Sequence, residues 1–83
     1  MNIYLSSKAD RQLHKLPEAM YQLVLAKIEG LDKEPFPLGN RKLAGRDGWR
    51  IRVGDYRILY TVDIKKEELI ILSVGHRKEI YRF

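Results

Sequence analysis

The sequence contains no cysteine, so neither a disulfide framework nor a thiolate metal site is available to it. Its two histidines, His14 and His76, have no acidic cluster beside them, and nothing shows the spacing of a metal site. Apolar runs are never longer than a few residues, so no stretch reads as a membrane span or a signal peptide. Internal repeats, low-complexity tracts and long linkers are also missing. With three prolines, six glycines and 45% apolar residues, the composition is that of a globular chain rather than a disordered one. These absences predict a single domain over residues 1–83, with no metal or other cofactor, no membrane association and a cytoplasmic location. A chain of 83 residues is near the lower limit of what one core stabilises unaided.

What the sequence does have is positive charge. Sixteen Lys and Arg against eleven Asp and Glu give a net charge of +5. A small domain this basic favours polyanions: nucleic acid, an anionic membrane or an acidic protein. Arg41, Lys42, Arg46, Arg50, Arg52 and Arg57 fall in one stretch that only Asp47 and Asp55 oppose. A solvated basic face is the plain alternative to a binding site there.

Along the chain, Asn2 to Leu5 reads as a strand. Ser7 followed by Asp10 resembles an N-cap with an acid at the third helical position, which starts a short helix there. Pro17 ends that helix near Lys15 or Leu16 and suits the first turn of a second one. In the second helix Met20, Leu23, Val24, Ile28 and Leu31 recur at helical spacing and predict one buried stripe. Pro35, Pro37 and Gly39 make Lys33 to Arg41 a loop. The period then changes to alternation: Trp49, Ile51 and Val53 interleave with Arg50 and Arg52. Gly54-Asp55 is a Gly-X turn, and Tyr56 to Val62 returns as the next strand. After a polar connection, Leu69 to Val74 is nearly all apolar, as expected of a strand buried on both faces. The fold predicted is α+β: an N-terminal strand and a helical hairpin packed on one face of an antiparallel sheet.

The Gly54-Asp55 turn fixes a register in which Val53 faces Tyr56, Arg52 faces Arg57, Ile51 faces Ile58 and Arg50 faces Leu59. Directly opposed side chains share a face. Arg50, Arg52 and Arg57 therefore lie on one face, with Ile51, Val53 and Ile58 on the other. Three arginines so close repel one another unless an anion, or a carboxylate from a neighbouring segment, relieves them. Arginine forks fit phosphate and stay charged at any working pH.

The C-terminal run Val74-Gly75-His76-Arg77-Lys78-Glu79-Ile80-Tyr81-Arg82 adds residue types suited to phosphodiester chemistry. Cleaving RNA without a metal needs a group to take the 2′-hydroxyl proton, a cation for the charge developing on phosphorus and an acid for the leaving 5′-oxygen. His and Tyr move protons, and Arg holds charge. Singly, His76 and Tyr81 also have ordinary structural readings.

Lys42-Leu43-Ala44-Gly45, then Trp49 through Tyr60 with its Gly-Asp-Tyr-Arg turn, then Val74-Gly75-His76-Arg77 to Ile80-Tyr81-Arg82 resemble the RelE/ParE toxin superfamily. The resemblance runs over essentially the whole chain. It implies a RelE-like fold and a toxin of a type II toxin–antitoxin system, held by a cognate antitoxin protein in a hetero-oligomer. In the ribonuclease branch it further implies metal-independent cleavage of messenger RNA on the ribosome, by 2′-hydroxyl attack. Positions matching that branch are Arg57, Arg77 and Tyr81 as catalytic residues, with Arg50 and Arg52 on the RNA. Lys42 and Arg46, in the same basic stretch, join the RNA-binding set. Lysines often stand in the family where this chain has Arg50 and Arg52. Arginine is a poor base, with a pKa above about 12, which moves proton transfer to Tyr81 or His76. Two other readings stay open: a ParE-like toxin that poisons gyrase by protein contact, and a non-catalytic RNA-binding module.

Overall fold

The computed structural model describes residues 1–76 of the chain. Its elements run β1 (Asn2–Leu5), α1 (Ser7–His14), α2 (Glu18–Gly30), β2 (Arg41–Lys42), β3 (Trp49–Val53), β4 (Tyr56–Asp63) and β5 (Glu68–His76). They form a five-stranded sheet of order β1-β5-β4-β3-β2, with the two helices packed on one face. The antiparallel meander β3 to β5 is as expected, whereas β2 begins at Arg41, which the sequence reading leaves in a loop, and β1 joins parallel to β5, pairing Asn2 with Glu68 and Leu5 with Ile71. The two-residue β2 is an edge strand too short to leave a pattern in the sequence.

The β3–β4 hairpin has the register the sequence predicts, Val53 with Tyr56 through Arg50 with Leu59. Gly54 opens its turn at φ 59, while Asp55 keeps a negative φ, which is the arrangement that favours Gly in the first turn position. Between the sheet and the helices lies the core. It contains Ala9 and Leu13 of α1, Val24 and Ile28 of α2, then Leu31, Ile51, Ile58, Tyr60, Leu69, Ile71 and Val74. Burying an aliphatic side chain of this kind contributes about 1.5–3 kcal/mol, so nearly every helix-facing strand position holds the layers together. Tyr60 is fully buried, and its hydroxyl donates to the Pro35 carbonyl at 2.8 Å, tying the 32–40 loop to the sheet. The amide nitrogen of Asn40, beside that hydroxyl, is buried with no hydrogen-bond partner among the described residues. Gly48 is required where it is, since at φ 128 an added Cβ would stand 3.0 Å from the Tyr60 carbonyl oxygen.

Four local expectations are corrected. The α1 cap is Ser6, not Ser7: the Ser6 hydroxyl accepts from the Ala9 amide at 3.0 Å and donates to the Leu72 carbonyl at 2.9 Å. The choice between adjacent serines follows from where β1 ends, because only Ser6 can reach both partners. Pro17 is the N-cap of α2 rather than its first helical residue. Leu23 is 57% exposed, so it leaves the buried stripe and lines an apolar groove with Ala26, Leu31, Pro37 and Val53. Finally β5 is not buried on both faces throughout, because Ile70 is 39% exposed on the face away from the helices.

Ile70 alternates with the core residues Leu69 and Ile71, and a bulge follows. Leu59 pairs with Ser73 and Tyr60 with Ile71, so Leu72 is an extra residue on β5. Before it, Leu69 and Ile71 face the core; after it, Val74 does. The alternation has changed phase. Beyond Leu5 the β1 edge stops, and the Gln12 side chain of α1 takes over, accepting from the Val74 amide at 2.7 Å and the Ser73 hydroxyl at 3.2 Å.

Candidate functional site

The face away from the helices is where the arginines gather. Arg41 pairs with Arg50 across β2–β3, and Arg52 with Arg57 across β3–β4, so all four share that face. β2 pairs with β3 only as far as Arg50, and among the described residues no strand pairs with the remainder of that β3 edge. A cleft of about 460 Å³ lies there, with Leu38 and Gly39 on one lip. Among the described residues its lining contains five cations, Lys27, Arg41, Arg50, Arg52 and Arg57, and no carboxylate. Among the described residues, no carboxylate pairs with Arg41, Arg52 or Arg57. Arg57 makes a long 3.4 Å hydrogen bond to the Tyr56 carbonyl, which leaves most of its donors available. Opposite Arg57 on β5 stands Gly75, which adds no side chain on that face. The cleft thus combines concentrated positive charge with open space, the requirements for holding an anion by bidentate hydrogen bonds.

Of the residues singled out in the sequence, Arg50, Arg52 and Arg57 come together as expected. Lys42 and Arg46 do not line the cleft. Lys42 pairs with Trp49, which belongs to the helix-side layer, and Arg46 is exposed in the turn before β3. In their place stand Arg41, one residue from Lys42, and Lys27, which reaches the cleft from α2. The signal for Arg41 was its parity with Arg50 once β2 is recognised; Lys27 left none. His76 is opposite Tyr56, with ring centroids 5.6 Å apart at 77°. The bulge puts that pair in phase with Val74 and Ile58, on the helix side rather than with Arg57. Arg77 and Tyr81 lie outside the described residues.

Among the described residues no group of three or more His, Asp or Glu side chains gathers as metal ligands do. No described helix is long and apolar enough to cross a membrane.

Comparison with known proteins places this architecture. Residues 3–81 match the family described as ParE toxin of type II toxin-antitoxin system, parDE. Toxin RelG of Mycobacterium tuberculosis is 40% identical over 81 residues, covering 93% of this chain and 91% of that protein. A chain of the archaeal RelE–RelB complex from Pyrococcus horikoshii superposes with a TM-score of 0.82 at 31% identity, over 94% of this chain and 96% of that one. The toxin–antitoxin complex RelBE2 of M. tuberculosis gives 0.81 at 30% identity, over 92% and 96%. The isolated Escherichia coli RelE toxin gives 0.79 at 26% identity, over 96% and 89%. With a family match over nearly its full length and RelE-like relatives in sequence and structure, the chain belongs to the ParE toxin family of the RelE/ParE superfamily and is a RelE-like toxin of a type II toxin–antitoxin system.

Proposed function

We propose that the 83 residues act in the cytoplasm as one unit, a metal-independent endoribonuclease that cleaves messenger RNA on the ribosome. The observation that carries this reading is the cleft, lined among the described residues by five cations and no carboxylate. In the proposed reaction the 2′-hydroxyl attacks the adjacent phosphorus, the 5′-oxygen leaves, and a cyclic phosphate and a 5′-hydroxyl remain. Arg52 and Arg57, opposed across the hairpin, hold the phosphate and stabilise the charge that grows on its oxygens. Arg77 adds to that charge stabilisation. Arginine cannot serve as the base, so proton transfer falls to Tyr81, while His76, set edge-to-face against Tyr56 on the helix side, positions the strand end. A cognate antitoxin restrains the toxin. The RelE chains solved with RelB, in the P. horikoshii complex among others, support a partner of this kind. The basic surface favours an acidic segment as its binding element.

The family's ParE name supports a rival activity, poisoning of gyrase through protein contact. One experiment separates the two: cleavage of message on programmed ribosomes and gyrase-dependent DNA breakage, assayed side by side with wild type and Arg57→Gln. Message cleavage lost in the variant, without DNA breakage in either, is the expected result. DNA breakage with intact message refutes the ribonuclease reading.

A further inference from the structure

The four arginines of the sheet face are two pairs, not one cluster. Arg52 and Arg57 form one cross-strand rung, and Arg41 and Arg50 form another. The rungs are two residues apart along β3, a step of about 7 Å, comparable to the spacing of successive phosphates in an extended nucleic-acid strand. Within a rung the Cα atoms are about 4.5–5.5 Å apart, so two guanidinium forks converge on one anion. A single phosphate can occupy one rung only. A second phosphate one step along the strand falls in register with the other rung.

Resting on the reading of the cleft as an RNA site, we propose that it seats two successive phosphates of one strand. Arg52 and Arg57 take the phosphate to be cleaved, and Arg41 with Arg50 takes its neighbour. Arg41 is thereby a binding residue that fixes the register of the message against the cleavage rung. It is exposed, on a two-residue edge strand outside the core, so replacing it leaves the packing of the sheet intact.

The test pairs protein and backbone substitutions. Programmed ribosomes carry synthetic messages with natural phosphates, or with one neutral methylphosphonate at the phosphate on either side of the scissile one. The affinity of wild type, Arg41→Ala and Arg41→Lys for each is measured. On one of the two modified messages wild type loses about tenfold, the scale of a charge-assisted hydrogen bond. Arg41→Ala loses a similar factor on the natural message and nothing further on that modified one, and Arg41→Lys recovers part of the loss. The salt slope of binding in Arg41→Ala falls by about 0.7, the value of one single-strand phosphate contact. If the losses multiply on both modified messages, or Arg41→Ala binds natural message like wild type, the two-phosphate register is wrong. Failure of wild type to cleave any message overturns the ribonuclease reading instead, and the affinity cycle still decides this one.

Discussion

Replacing Arg57 by Gln should make the protein more stable and much less active. Gln keeps most of the aliphatic stem but removes the charge that faces Arg52. Two unit charges about 6 Å apart repel by about 0.7 kcal/mol in water, and like charges directly opposed on a sheet are destabilising by about 0.2–1 kcal/mol. Against this stands only the 3.4 Å bond to the Tyr56 carbonyl, longer than a good N–H···O bond. A net gain of about 0.5 kcal/mol corresponds to a Tm rise of about 2–4 °C for a chain of this length. The gain should vanish in 1 M salt, where charges are screened beyond about 3 Å. Cleavage moves the other way. Loss of one preorganised donor at the developing charge lowers the rate by about a hundred- to a thousandfold. Thermal unfolding at low and high salt, beside single-turnover cleavage on programmed ribosomes, measures both. A variant destabilised by more than about 1 kcal/mol, whose rate falls only with its folded fraction, would make Arg57 a structural residue.

Further outcomes are expected elsewhere. Ser6→Ala should cost about 1–2 kcal/mol in urea unfolding, because it removes both the cap to Ala9 and the donor to Leu72, whereas Ser7→Ala should change little; the reverse order would contradict the cap assignment. Burial raises the Tyr60 phenol above its ordinary value, with Asn40 pulling weakly the other way. The fold therefore favours the neutral phenol: its contribution is full below about pH 10 and is lost as pH rises through the higher folded value. Tyr60→Phe should flatten that alkaline limb while costing about 1 kcal/mol for the bond to Pro35, and identical limbs in the two proteins would refute it. Tyr81→Phe should lower single-turnover cleavage by about a hundred- to ten-thousandfold with binding nearly intact. Near-normal cleavage in that variant, with His76→Ala inactive, would return the proton-transfer role to His76.

The parts of the fold legible in the sequence are those with local causes. Gly54-Asp55 sets the hairpin, and the alternation around it sets which residues share a face, so the arginine rung Arg52–Arg57 follows from ten consecutive residues. The rest depends on distant partners. Ser6 and Ser7 are equivalent locally, and only the carbonyl of Leu72, far along the chain, distinguishes them. Leu23 fits the periodicity of α2 but lines an apolar groove with Pro37 and Val53, exposed among the described residues. Arg41 and Lys42 cannot be told apart until β2 pairs with β3, and two residues are too few to show a period. Lys27 sits in an apolar helix, and its place in the cleft depends on how α2 packs across the open β3 edge.

A strand has a reading frame of two, and the extra Leu72 is an insertion in it. Every residue that follows on β5 inherits the shifted frame: Val74 enters the core, Gly75 falls opposite Arg57, and His76 meets Tyr56. Were Leu72 paired in regular alternation instead of bulged, a valine and a histidine would point toward the arginine cleft and the glycine would be left in the core. Changes of length in this segment are therefore of a different order from changes of side chain. Deleting one residue there would close the bulge and keep both faces, whereas a further residue inserted without a second bulge would exchange them, emptying a core position and filling the space beside Arg57. Length is thus the variable under constraint here, and alignments of this segment are informative only where they preserve it.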